Sequence, residues 1–465
     1  MRRQPIVGPP PAITSKQPDS VVTQVREYRL ITPLYGGGVT SAQADPVTVV
    51  RATEVRGHLR FWWRACRGGM FDGNAKKMWE KENEIWGKAY KKDDPPVSQT
   101  QTIQIIVEPL KQITDNDLLE PFKVRENDRG QKQSKYDYRT DIPDYAAFPL
   151  QHTLEELQQA VLPYKKVCDN VTFRLTISFP VNRRDDVAAS LWAWETFGGI
   201  GARTRRGFGA LYCISIEENG HPLEIDLPPL DQQQAQDWIE KNLTAYVVDG
   251  SWATSVPHLE KQNPMFKVVS RGNTNDSWVI WNDLINKLRS FRQSRYLSNK
   301  PNPNHPGRSR WPEPSAIRQY TNQSLPAHKK PIPDPLINKF PRAVFGLPII
   351  FQFKDRNDRN PDDPYRDPRK TVLQLATSER LASPLILKPV ACRGGAYVGL
   401  ALILEGTRAK DEQLILQTQQ GQKDEWKVEA TFDQGEMLSI PNGNSGSSVM
   451  INSQKNALQA FLRYL

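Results

Sequence analysis

The stretch VTFRLTISFPVNRRDDVAASLWAWETFGGIGARTRRGFGALYCISI, residues 171–216, decides the fold. Its first nine residues alternate apolar with polar side chains, which predicts a half-buried strand over Val171–Phe179. Asn182 marks a helix start. Asp185 and Asp186 fall in the first turn, where the helix dipole favours negative charge, and Val187, Leu191 and Trp194 form an apolar seam. Gly198 and Gly199 end that helix, and a last strand runs from Gly209 to Ile216.

Upstream, Val25–Thr32 reads as a strand that stops at Pro33 and enters the turn Leu34-Tyr35-Gly36-Gly37-Gly38. Thr53–Met70 and Asn74–Tyr90 read as helices, the second carrying Trp79, Ile85 and Trp86, and Thr102–Leu110 as a strand. The order is strand, helices, strand, strand, helix, strand, which is ferredoxin-like, with a charged, turn-rich insertion at Asn116–Pro149. A weaker repetition follows a connector over 217–245. It comprises strands at Phe266–Val269, Val344–Phe353, Leu385–Pro389 and Ala396–Leu404, and helices at Trp278–Phe291 and Asn456–Leu465.

A chain of 465 residues exceeds what one core usually serves, so two domains are expected. With 38% hydrophobic residues, global disorder is excluded. The net charge of +10 favours anionic partners. Proline-rich residues 1–22 read as a flexible tail rather than a secretion signal, and no apolar run is long enough to span a bilayer. Cys66, Cys168, Cys213 and Cys392 form neither a CxxC pair nor a dense disulfide pattern, so reduced thiols in a cytoplasmic protein are expected.

The segment EVRGHLRFWWRACRGG at 54–69 puts Arg56, Arg60, Arg64 and Arg67 on one narrow helical arc. Val55, Leu59, Trp62, Trp63 and Cys66 lie on an adjacent face. Like charges so placed repel, and either an anion or buried carboxylates must offset the repulsion. RNA phosphate meets that need; so would acidic side chains elsewhere in the fold. The segment FGGIGARTRRGFG at 197–209 sets Arg203, Arg205 and Arg206 among glycines that include Gly201 and Gly207. Glycine lets backbone follow a phosphate chain and arginine supplies bidentate donors, so this is a candidate phosphate cradle, with a glycine-rich structural turn as the other reading. It lacks the ending of a nucleotide-binding P-loop.

Between Lys287 and Lys330 ten basic residues, among them Arg308 and Arg310, face one acidic residue, Glu313; an extended, available loop is expected. Residues 355–370 balance five Asp against five Lys or Arg and read as a solvated loop. The six histidines show no metal-ligand spacing. His58 is the one histidine within a strong motif and the fairest candidate for acid–base chemistry, yet the carboxylates form no recognisable constellation around it. No catalytic residue, metal or cofactor is therefore expected.

These motifs, with ITPLYGGG at 31–38, EIWG at 84–87, GRSRWPEPSAIR at 307–318, FPRAVFGLPIIFQF at 340–353 and SPLILKP at 383–389, resemble the RAMP superfamily. Within it they are similar to the first-numbered subunits of the type III-B CRISPR effector, the Cmr complex. The resemblance implies an α+β fold of two ferredoxin-like (RAMP/RRM-like) domains with long loop insertions, here over 23–225 and 226–465. It implies a non-catalytic RNA-binding subunit that helps engage target RNA near the guide RNA 3′ region. Guide CRISPR RNA, complementary target RNA and other RAMP subunits would be its partners. Arg56, Arg60 and Arg64 correspond to basic helix residues, and Gly198 through Gly209 to an RNA-facing or fold-maintaining loop. The expected RNA-binding set is Gly36, Gly37, Gly38, Arg56, Arg60, Arg64, Arg67, Gly201, Arg203, Arg205, Arg206, Gly207, Arg308 and Arg310.

Overall fold

Alternation along 172–180 becomes a strand with one wet and one dry face: Phe173, Leu175, Ile177 and Phe179 are buried and their neighbours are half-exposed. The computed structural model describes residues 20–38, 45, 47–88, 103–254, 256–270, 275–295, 309, 311–326, 338–353, 363–368, 370–406, 412–418, 424–431 and 456–465. Its first half runs β1 Val21–Leu30, α1 Ala52–Arg67, α2 Ala75–Trp86, β2 Gln104–Pro109, β3 Leu118–Leu119, β4 Phe122–Glu126 and β5 Lys132–Tyr136. It continues with α3 Asp144–Ala147, α4 Leu154–Leu157, β6 Val167–Cys168, β7 Thr172–Pro180, α5 Arg184–Phe197, β8 Leu211–Glu218 and β9 His221–Leu223.

The main sheet has the order β2-β7-β1-β8-β9, antiparallel throughout, consistent with a ferredoxin-like unit extended by β9. Tyr28 stands between Phe173 and Cys213 in the register and is fully buried. Helices α1 and α5 pack on each other and cover this face, contributing Val55, Leu59, Trp62 and Trp63 from one and Val187, Leu191 and Trp194 from the other. Each large apolar side chain so buried contributes about 1.5–3 kcal/mol. Val21 and Val22, expected in the tail, already belong to β1. The insertion at 116–149 is folded rather than looped: β3 pairs with β6, β4 pairs with β5, and α3 follows.

The second half contains α6 Gln232–Tyr246, β10 Phe266–Val269, α7 Ser277–Arg292, α8 Glu313–Tyr320, β11 Ile349–Phe351 and β12 Thr371–Leu375. Then come β13 Leu385–Ala391, β14 Tyr397–Ile403, β15 Leu414–Thr418, β16 Glu425–Val428 and α9 Ala457–Tyr464. These strands divide into two antiparallel sheets, β10-β14-β13 and β11-β12-β15-β16, so among the described residues the second half does not simply copy the first. The expected connector holds α6, whose seam of Ala235, Ile239 and Leu243 is buried and whose cap, Asp231, accepts from the Gln234 N–H at 2.9 Å. Of the strand expected over Val344–Phe353, β11 pairs with β12 and Leu347 forms an isolated bridge with Leu381. Pro341–Phe345 forms a 3₁₀ turn, and Gly346, at φ +112°, redirects the chain. Helix α8 likewise interrupts the basic stretch expected to be extended.

Strands β13 and β14 are buried along their whole length and divide two apolar cores. Ile386 and Val390 point into the core beneath α1 and α5, whereas Leu385, Leu387 and Ala391 point into the core around α7. This shared sheet brings the glycine-rich loop against the second half.

Candidate nucleic-acid interface

The α1 arginines form the expected row, but the row faces protein. Arg56 Nη1 donates to the carbonyls of Trp86 at 2.8 Å and Ile103 at 3.1 Å. Arg60 Nε donates to Glu82 Oε1 at 2.5 Å, while its other nitrogens reach Gly87 O at 2.8 Å and Asn83 Oδ1 at 3.1 Å. Arg64 Nη1 shares the same Glu82 oxygen at 2.5 Å, and Arg67 Nε lies 3.6 Å from Asp186 Oδ1. Burial, and secondarily Arg60, holds the Arg56 pKa below its usual value. Repulsion along the row is thus offset inside the fold by Glu82, Asp186 and the last carbonyls of α2. An external anion is not required there.

The glycine-rich loop is a joint between the two halves. Thr32 Oγ1 donates to Gly207 O at 2.6 Å and accepts from Ala210 N at 2.9 Å. Ala202 N donates to Tyr35 O at 2.7 Å, and Gly201 N to Glu54 Oε1 at 2.8 Å. Glycine is required at several positions here: at Gly209 (φ +60°) a Cβ would sit 2.0 Å from Ile200 O, and at Gly207 (φ +84°) 2.5 Å from Trp281 Nε1. Lys388, fully buried on β13, crosses to this loop and donates to Glu195 O at 2.9 Å and Gly198 O at 2.8 Å. Burial pushes its pKa down to about 7.

From this joint the loop arginines project towards residues that the sequence did not single out. Arg206 Nη1 donates to Leu385 O at 2.8 Å, and burial, followed by Arg292 and Arg203, pushes its pKa down to about 9. Arg205 donates to Ser383 O, and its guanidinium lies 5.9 Å from the Phe61 ring. Arg203, in the left-handed region at φ +57°, lies 5.3 Å from the Phe148 ring. Arg292 Nη1 donates to the Tyr145 hydroxyl at 2.8 Å. Arg342 Nε lies 3.2 Å from Glu313 Oε1, in the one carboxylate salt bridge of this group among the described residues. Burial lowers the pKa of Arg203, Arg205 and Arg292 as well. Arg203 Nε and Arg292 Nε are buried donors with no hydrogen-bond partner among the described residues. Five guanidiniums with one carboxylate salt bridge among the described residues, and with donors unmet, are the electrostatic state of an anion site.

The remaining candidates are dispersed. Gly36 and Gly37 adopt φ +69° and +91°, with Gly37 beside Glu54, while Gly38 forms a half-exposed bend. His58 Nε2 is 3.8 Å from Glu54 Oε1, and its ring stacks on Trp194. Arg308 and Arg310 lie outside the described residues. The four cysteines are free and buried. Among the described residues no group of three or more His, Cys, Asp or Glu could hold a metal ion, and no helix is long and apolar enough to cross a membrane. Arg292, Arg342 and Lys388 went unremarked individually, although Arg342 and Lys388 sit within FPRAVFGLPIIFQF and SPLILKP and Arg292 within the basic stretch.

Comparison with known proteins supplies the wider context. Residues 27–212 match the RAMP superfamily. The chain is 25% identical over 166 residues to the CRISPR system Cmr subunit Cmr1-1 of Pyrococcus furiosus, covering 36% of this chain and 40% of that protein. It is 25% identical over 208 residues to Cmr1-2 of the same organism, covering 41% of this chain and 95% of that protein. The match thus spans less than half of the first relative. A crystal structure of Cmr1 from Pyrococcus furiosus in its apo form aligns with a TM-score of 0.42 at 17% identity, over 83% of this chain and 89% of that one. A type III-B Cmr-beta structure bound to cognate target RNA aligns with a TM-score of 0.44 at 14% identity, over 83% and 95%. Scores of this size carry no argument of their own. Residues 27–212 thus resemble the RAMP superfamily, and the chain is similar to Cmr1 subunits.

Proposed function

We propose that this chain is a non-catalytic RNA-binding subunit of a type III-B CRISPR ribonucleoprotein. It would engage target RNA near the guide RNA 3′ region beside other RAMP subunits. The observation that carries the reading is the arginine cluster at the joint: Arg203, Arg205, Arg206, Arg292 and Arg342, with Arg292 against Tyr145 and Phe345 and with Glu313 as the one carboxylate among the described residues in a salt bridge with the group. RNA phosphate would supply the negative charge that these half-exposed guanidiniums lack. Contacts of this kind position RNA without reading its sequence, which leaves specificity to base pairing with the guide. Similarity to Cmr1 subunits supports the choice of complex.

The test is salt-dependent binding of a labelled single-stranded RNA oligonucleotide to the full chain, comparing wild type with Arg203→Gln/Arg292→Gln. The double variant should bind more weakly across unrelated sequences, its slope of log affinity against log salt falling by about 0.7 for each phosphate that is no longer neutralised. An unchanged affinity and slope would contradict the reading. Wild type incubated with excess RNA and magnesium should yield no product; multiple turnovers abolished by His58→Ala would replace binding with cleavage.

A further inference from the structure

We infer that Phe148 is a stacking platform for one unpaired base, so that the RNA taken at the joint is single-stranded there rather than duplex. The inference rests on the RNA-binding reading above and narrows its substrate. Phe148 is 58% exposed, the one phenylalanine among the exposed large hydrophobic residues of the described chain, and it is not displayed by a loose segment. It opens the 3₁₀ turn Phe148–Leu150 directly after α3, and Ala146, Ala147 and Leu150 on either side of it are fully buried. The turn is pinned from beneath while the ring is left in solvent.

Arg203 lies against this ring, its guanidinium 5.3 Å from the centroid. No carboxylate is hydrogen-bonded to Arg203 among the described residues, and its Nε is a buried donor without a partner. Its backbone is held left-handed by a loop anchored through Ala202 N on Tyr35 O, a conformation strained for a non-glycine residue. The fold thus fixes a cation over an aromatic ring that otherwise remains largely open to solvent. Nucleotides present that pairing in reverse: a phosphate for the cation and a flat base for the ring. Arginine and aromatic planes are the surfaces on which splayed bases stack. Within a duplex, away from its ends, each base face is already covered by its neighbours, so only an unpaired nucleotide can use both features there. A lone anion would leave Phe148 unexplained.

The full chain is titrated against a labelled single-stranded RNA oligonucleotide, and separately against its blunt duplex. Phe148→Ala should weaken single-strand binding roughly 5- to 150-fold, the range of one base–aromatic stack, and leave the salt slope unchanged. Phe148→Trp should restore it. Because Phe148 is exposed, an unchanged thermal melt confirms that the variants are folded. Tighter binding of duplex than of single strand, or full single-strand affinity in Phe148→Ala, would overturn the inference. If Arg203→Gln/Arg292→Gln weakens binding while Phe148→Ala does not, the stacking fails and the RNA-binding reading survives. If neither variant has an effect, both fail.

Discussion

Removing Arg60 and Arg64 together should unfold this protein more readily rather than merely strip an RNA surface. Glu82 is 3% exposed and receives both arginines on one oxygen at 2.5 Å, so Arg60→Ala/Arg64→Ala leaves a buried carboxylate without its cations. Breaking a buried pair from one side costs about 3–5 kcal/mol. The guanidiniums keep 22% and 30% exposure, which places the expected loss toward the lower end, at about 3 kcal/mol. Arg60 also closes the end of α2 through Gly87 O and Asn83, so its loss removes further ties between that helix and α1. Replacing the carboxylate as well, in Arg60→Ala/Arg64→Ala/Glu82→Leu, removes the uncompensated charge and should recover much of the deficit. The assay is urea unfolding followed by tryptophan fluorescence, read as midpoint and slope. A double variant as stable as wild type, or a triple variant no more stable than the double, would refute the clasp.

Lys388 predicts a pH dependence. Burial holds its folded pKa at about 7, below the ordinary 10.5, so between these values the unfolded chain binds the proton that the folded lysine has shed. Stability attributable to this group should therefore rise with pH across that window, at up to about 1.4 kcal/mol per pH unit, and be flat below it; Lys388→Met should remove the rise in denaturant titrations. Gly207→Ala should lower stability by about 2 kcal/mol or more in the same assay, because the new Cβ meets Trp281 Nε1 and Leu387 O in a left-handed backbone. Arg203→Gly should melt no lower than wild type, since glycine relieves the left-handed strain, while binding single-stranded RNA more weakly.

The first half was legible wherever periodicity and local punctuation agree. β7, α5 and β8 came out within a few residues because alternation, an aspartate-rich first turn and paired glycines all point the same way. Helix α6 carried readable signals, Asp231 as cap and the i, i+4, i+8 seam, but its glutamine-rich surface resembles a linker. The α1 arginine row was correct as geometry. What it faces was not legible, because Glu82 lies 22 residues from Arg60 and 18 from Arg64 and only the α1–α2 turn brings them together. The joint escaped for the same reason: Arg203 meets Phe148, and Arg206 meets Leu385 on the far side of the chain. Sequence marks the residues, and tertiary folding chooses their partners.

Ultraviolet crosslinking of RNA to the full chain in its assembled complex, followed by peptide mapping, tests the central claim most directly. RNA-linked peptides should contain Tyr145 or Phe148 and the 203–206 segment, with loss of both sets in Arg203→Gln/Arg292→Gln. Crosslinks confined to the outer surface of α1 and α2, or unchanged in that variant, would contradict the assignment of the interface to the arginine joint.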